Sequence, residues 1–194
     1  MKRRSFIPSL AALAAVSFLS ACSKEPEVPA APPIDRAQAL QVLAAEGKGF
    51  TAGTMMAANT VYVLFDPQCP HCAALWEASQ PLLKQTRFVW LPVALLNAKS
   101  LPQGAAIMGA TNPVDAMTAH EKSLMAGQGG TSASASVPDD VKAAIERNTA
   151  LLNRLGAEAV PFTVARHATS GATVTQAGAM DTAALARFLG ITGS

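Results

Sequence analysis

Residues that bind metals or nucleic acids are scarce in this chain. Its 194 residues hold three cysteines and three histidines. A structural zinc site needs about four N, S or O ligands, usually in two paired motifs, and only Cys69 and Cys72 form a pair. His120 and His167 stand outside it without motif spacing, which argues against zinc. Covalent c-type haem needs a histidine directly after the second cysteine, and Ala73 occupies that place. The net charge is only +2 and no run of Lys or Arg follows the first residues, so nucleic acid and acidic lipid head groups are not expected partners. No internal repeat is visible.

What is present begins at the N-terminus. MKRRSF is a basic segment, IPSLAALAAVSFL a short apolar one, and Leu19-Ser20-Ala21-Cys22 closes it with small residues before a cysteine. The apolar part is too short for a spanning helix. Residues 1–22 resemble a bacterial lipoprotein signal, which implies that Cys22 receives a lipid and becomes the mature N-terminus; the alternative is an ordinary cleaved signal or an uncleaved anchor. Lipidation also accounts for the odd cysteine left after the CxxC pair. Ser23 at the next position implies, by the same resemblance, sorting to the outer membrane of a Gram-negative bacterium. Arg3-Arg4-Ser5-Phe6-Ile7 also resembles a twin-arginine signal, so the export route stays open. Residues 23–33, SKEPEVPAAPP, are Pro-rich and predict an extended tether, with one folded domain over 34–194.

Along that domain, Asp35 to Ala45 reads as a short leading helix ending at Gly47. Thr60 to Phe65, TVYVLF, is apolar on both faces and predicts a central strand. Cys69 to about Lys84 reads as a helix with Pro70 in its first turn and a kink at Pro81. Arg87 to Val93 is a second strand. Leu101 to Leu155 shows only helical patterns, broken by Pro113 and by the polar stretch 127–136, which reads as a mobile loop. A helix start lies near Pro138-Asp139-Asp140. Phe162 to Arg166 and Ala172 to Gln176 predict a hairpin about Ser170-Gly171, and Asp181 to Leu189 a closing helix. The order predicts an α/β domain with a helical insertion in its middle.

The stretch FDPQCPHC, 65–72, then stands between a buried strand and a helix start. A disulfide across so short a loop restrains the unfolded chain little and makes a poor staple. At a helix start, however, Cys69 and Cys72 lie one turn apart on one face, close enough to bond and reopen. Unpaired N–H groups and the positive dipole end stabilise a thiolate there, and His71 can add a cation or a donor. Pro70 and His71 are therefore the expected tuners of the thiolate. Cys69 at the helix tip is the expected nucleophile, Cys72 the resolving thiol.

Strand, CxxC, helical insertion and then Val160-Pro161 before a strand together resemble a thioredoxin fold. The similarity is to the catalytic domain of periplasmic thiol:disulfide interchange proteins of the DsbC/DsbG type, carried by FDPQCPHC at 65–72 and LGAEAVPFTVAR at 155–166 and covering roughly Val61 to Leu189. CPHC itself is like the tetrapeptide of DsbA proteins. The resemblance implies a helical insertion between the second and third core strands, a cis-Pro161 facing the site, and pairing of the Val160 backbone with an extended substrate peptide, a form of strand addition. It implies exchange with exported protein thiols and disulfides, a membrane or periplasmic redox partner, and no dissociable cofactor. Family members carry an N-terminal dimerisation domain; one short helix precedes the first strand here, so a monomer is expected. The residue before the cis-proline is typically Thr in that family, whereas Val160 is like the DsbA type, so simple dithiol exchange is expected above isomerisation. A membrane-tethered chaperone or metal-binding lipoprotein with an incidental cysteine pair is the rival.

Asp66 beside Pro67 is expected to cap the following turn rather than relay protons to Cys72, and no relay acid is identifiable. Met55, Met56, Met108, Met117 and Met125 are expected to fill core gaps rather than bind copper. Trp76 and Trp90 are expected to be buried.

Overall fold

The computed structural model describes residues 31–192. The signal segment, Cys22 and most of the Pro-rich tether lie outside the described residues. Near its described start the chain is tied to Arg154: Pro32 O accepts from Arg154 Nε at 3.1 Å and Ile34 N–H donates to Arg154 O at 2.8 Å.

A 3-10 turn, Arg36–Gln38, capped by the Asp35 carboxylate, leads into α1, Ala39–Glu46. Strand β1, Phe50–Gly53, follows, then β2, Thr60–Phe65, and α2, Pro70–Ser79. The kink expected at Pro81 is an end instead: α2 stops at Ser79 and continues as the 3-10 turn Gln80–Leu82, because proline cannot donate within an α-helix. After β3, Arg87–Pro92, come α3, Ser100–Met108, α4, Pro113–Met125, and α5, Asp139–Arg154. Strands β4, Phe162–Arg166, and β5, Thr173–Ala177, and α6, Thr182–Leu189, complete the domain. Asn112 and Asp181 cap α4 and α6 with side-chain oxygens, as short polar residues do at helix starts.

The sheet has the order β1-β3-β2-β4-β5. Strands β2 and β3 are parallel and the other pairs antiparallel. The sequence pattern missed β1, a four-residue strand whose pairing Phe50↔Trp90 to Gly53↔Arg87 extends the sheet beyond β3. Its approach requires Gly49: a Cβ there would lie 1.9 Å from Trp90 O.

Side chains alternate across the strands. On one face Phe50, Phe65 and Trp90 surround Trp76 of α2, with the two indoles 5.1 Å apart at 73°, an edge-to-face arrangement that aromatic pairs favour. On the other, Leu64 and Leu91 are fully buried, Leu91 against Gly47 at the end of α1. Asn148 of α5 locks this side: its Nδ2 donates to Lys48 O at 2.7 Å and Pro92 O at 2.9 Å, and its Oδ1 accepts from Lys48 N at 3.0 Å. The active-site helix is thus wedged on a dry sheet, which fixes where its N-terminus sits.

The methionine expectation holds only in part. Met117 is fully buried, but Met55, Met56 and Met125 are 63%, 93% and 61% exposed. Met55 and Met56 lie in the β1–β2 connection and Met125 closes α4, where no sheet face covers them.

Candidate active site

The parallel pair β2–β3 delivers its carboxyl ends to one rim, and the chain leaves β2 there through Asp66-Pro67-Gln68 into α2. Cys69 is the N-cap residue with extended backbone, φ −99° and ψ 112°, and Pro70 opens the helix. Pro70 has no N–H to orphan and its fixed φ suits that position. The first helical bonds run from Cys72 N and Ala73 N to Cys69 O at 2.9 and 3.3 Å. Both thiols are free. Both are buried, Cys69 at 5% exposed and Cys72 fully, so the helix-tip residue is the less covered of the two.

The two thiols are pushed apart electrostatically. Cys69 is lowered from 9.0 to about 6, first by hydrogen bonding from the Cys72 thiol, then, against some burial, by the backbone N–H groups of Cys72 and His71 and the charge of His71. In the neutral state these amides do not cap the side chain, and the thiol instead donates to Val160 O at 3.5 Å. Cys72 is raised well above its ordinary range, chiefly by burial and then by Cys69. His71 is exposed, and its amide acts on the sulfur ahead of its ring. Val160 and Pro161 arrive from the opposite side on the loop into β4, and their peptide bond is cis. The structure therefore brings together Cys69, Pro70, His71, Cys72, Val160 and Pro161.

Asp66 is fully buried and caps the turn, its Oδ1 accepting from Gln68 N at 2.8 Å. Its Oδ2 accepts from Leu95 N and Leu96 N at 2.7 and 2.9 Å, so the carboxylate ties the turn to the segment after β3.

Sequence reasoning missed Glu121. It lies on α4, 3% exposed, with neither carboxylate oxygen partnered among the described residues. Burial, then the charges of Cys69 and Asp66, push it up to about 9, and its proximity in turn raises Cys72. It borders a cavity of about 540 Å³ between α2 and α4, lined also by Ala73, Trp76, Thr118 and Met125. A signal existed: Val114, Met117 and Glu121 share one stripe of α4 by helical spacing, so Glu121 stands where the pattern demands an apolar residue.

Fold and site together define a thioredoxin-fold protein with a CxxC pair at the start of its active-site helix. The sequence matches no protein-family model. It is similar to the thiol:disulfide interchange protein DsbG of Pseudomonas aeruginosa, 29% identical over 112 residues, which are 56% of this chain and 43% of that protein. The match thus spans less than half the length of that relative. Among solved structures, the catalytic domain of Proteus mirabilis ScsC superposes with a TM-score of 0.60 at 19% identity over 79% of this chain and 96% of that one. A periplasmic thioredoxin-like protein from Salmonella enterica serovar Typhimurium gives 0.58 at 16% identity over 79% and 93%. These structures share the fold. Among the described residues no helix is long and apolar enough to cross a membrane.

Proposed function

We propose that this protein is a thiol:disulfide oxidoreductase acting on exported proteins. The observation that carries the reading is the split between its two thiols: Cys69 at the helix tip held near 6 and a fully buried Cys72 held well above the ordinary range. At neutral pH the first is a thiolate and the second keeps its proton, which is the division of labour that nucleophile and resolver require. Similarity to DsbG supports the same reading.

In the reducing direction the Cys69 thiolate attacks one sulfur of a substrate disulfide, that S–S bond breaks, and the second substrate sulfur leaves as a thiolate. Cys72 then gives up its proton and attacks the Cys69 sulfur, releasing the first substrate sulfur and closing the Cys69–Cys72 disulfide; two electrons have passed to the substrate. Run backwards, the same steps oxidise a dithiol. The Cys72 thiol and amide and the His71 amide and ring hold the thiolate, and Pro70 opens the helix that presents those amides. Val160 O, 3.5 Å from the sulfur, is free to accept an amide of the substrate once the thiol is ionised, so Val160 and cis-Pro161 serve as the backbone platform. No dissociable cofactor is needed.

The domain works in the periplasm as a monomer, held by a lipid on Cys22 and the tether 23–33 to the outer membrane, with a membrane or periplasmic redox partner renewing the pair. The CPHC sequence and the DsbG similarity leave oxidation, isomerisation and reduction to be separated by potential. The deciding experiment incubates Cys72→Ser with a disulfide-bonded exported protein and reads intact mass. A mixed disulfide on Cys69 that persists in the variant and resolves in the native protein supports exchange. No adduct in either, with binding unaffected by Cys69→Ser, favours the chaperone or metal-binding lipoprotein instead. The equilibrium potential against glutathione then sets direction: about −120 mV marks an oxidant, about −200 mV or below a reductant or isomerase.

A further inference from the structure

The helical insertion does more than cover the sheet. His120 of α4 is fully buried, and its Nε2 lies 2.7 Å from Pro67 O, in the turn that delivers Cys69. Its Nδ1 accepts from Thr131 N at 3.2 Å and lies 3.1 Å from Thr131 Oγ1. A backbone N–H can only donate, so Nδ1 is the bare nitrogen and Nε2 carries the proton given to Pro67 O. The ring is therefore a neutral bridge between the active-site turn and the segment 127–136.

That segment, read from sequence as a mobile loop, is strapped at 129–131. Gly129 O accepts from Gln68 Nε2 at 3.0 Å and from Gln103 Nε2 at 2.9 Å, Thr131 O accepts from Gln103 Nε2 at 3.0 Å, and Gly130 O accepts from Ser123 Oγ at 3.0 Å. Gln68 also donates to Gln103 Oε1. Gly130 has φ +84°, and a Cβ there would fall 2.3 Å from His120 Cε1, so the strap is moulded on the ring. Gln68 directly precedes Cys69 and is tied to the insertion by this strap, by Gln103 and by Asn97, whose Nδ2 donates to Gln68 Oε1 at 3.2 Å.

We propose that His120 is a positioning residue for Cys69, holding the Pro67 carbonyl and the 129–131 strap against the active-site turn, and that acid breaks the strap's backbone tie to the ring. Doubly protonated, the ring keeps its bond to Pro67 O and can donate from Nδ1 to Thr131 Oγ1 at 3.1 Å, but the Thr131 N–H then faces a second donor and loses its acceptor. The titratable and charged groups on the elements packed around the ring are Asp66 and Cys69 in the turn, His71, Cys72 and Glu77 on α2, Asp115, Glu121 and Lys122 on α4 itself and Lys99 ahead of α3; segment 127–136 has none. Burial favours the neutral ring, and Asp66 partly opposes it. The folded protein thus holds the neutral ring above the ordinary histidine range and loses that contribution as pH falls below it. The inference rests on Cys69 being the exchange nucleophile.

The test compares native protein with His120→Gln, His120→Phe and Gly130→Ala. Gln places a non-titrating donor near Nε2, Phe removes both bonds, and Gly130→Ala, whose Cβ would fall 2.3 Å from His120 Cε1 and 2.9 Å from its Nε2, displaces strap and ring together. Cys69 thiolate formation is followed by absorbance and alkylation, and amide hydrogen exchange of 127–136 is corrected for its intrinsic pH dependence. Expected is a shift of at least half a pH unit in the Cys69 midpoint for Phe and its restoration by Gln. Expected too is at least tenfold loss of strap protection from pH 7 to 4.5 in native protein, little in Gln, and loss already at pH 7 in Gly130→Ala. If His120→Phe does not fold, Gly130→Ala and Gln carry the comparison. A Cys69 midpoint in His120→Phe equal to the native one, or strap protection that falls equally with pH in native and Gln proteins, overturns the proposal. A native protein without disulfide exchange fails the functional reading instead.

Discussion

The carboxylate of Asp66 accepts the Leu95 amide at 2.7 Å while its other oxygen accepts the Gln68 amide at 2.8 Å. One buried side chain thereby joins Gln68, the residue before Cys69, to the loop that leaves β3. This is a bracket rather than a proton relay, since both oxygens are occupied by backbone donors that do not exchange with Cys72.

Removing the bracket leaves the amides of Gln68, Leu95 and Leu96 without their acceptor. Asp66→Ala is expected to destabilise by about 3 kcal/mol or more, and Asp66→Asn, which keeps one carbonyl oxygen, by about 1–2 kcal/mol. Urea denaturation with an unchanged m-value checks this; equal small losses in both variants would contradict it.

The Cys69 thiolate should appear with a midpoint near 6, seen as an alkylation rate that rises through that pH. Hydrogen bonding from Cys72 is the largest cause of the lowering, so Cys72→Ala is expected to move the midpoint upward. Because the folded value lies below the ordinary 9.0, this group stabilises reduced protein at high pH and loses its effect as pH falls through about 6. The difference in Tm between reduced and oxidised protein should therefore shift in favour of the oxidised form on going from pH 8 to pH 5.

Glu121 has the opposite sign. Its folded value, about 9 against an ordinary 4.5, means that stability is fully present below 4.5 and is lost as pH rises toward 9. Glu121→Gln keeps the shape without the ionisation. Its Tm advantage over the native protein should be small at pH 5 and grow to roughly 5 °C or more at pH 8, taking about 2–4 °C per kcal/mol for a domain of this size. An advantage independent of pH would show that the carboxyl is not held protonated.

Asn148 satisfies three backbone groups of the Lys48 and Pro92 segments. Asn148→Ala is expected to cost about 2 kcal/mol, and Asn148→Asp more, since a carboxylate has no proton for the two carbonyls. Chemical denaturation ranks the two.

The sequence alone determined the elements whose cause is local. The apolar run of β2 reads the same in any context because a strand covered on both faces needs it. The CxxC pair with Pro70 marks a helix start because the backbone there leaves amides orphaned, and Trp76 and Trp90 are too large and apolar to stay wet. The roles proposed for Cys69 and Cys72 rest on that spacing, and the thioredoxin resemblance pointed to Val160 and Pro161, whose peptide bond is cis with Val160 O 3.5 Å from the Cys69 sulfur. Only the tertiary structure decided what depends on distant partners. Strand β1 is four residues long and exists because β3 offers an edge. Met55, Met56 and Met125 fall where no layer covers them. Glu121 is a charged residue on an apolar stripe, and it became a buried neutral acid beside the thiols only when α4 docked on α2. His120, read as a stray histidine, gained its partners from Pro67 and Thr131, 53 and 11 residues away. Periodicity reports which face a residue takes, but not which donor or acceptor the fold will set against it.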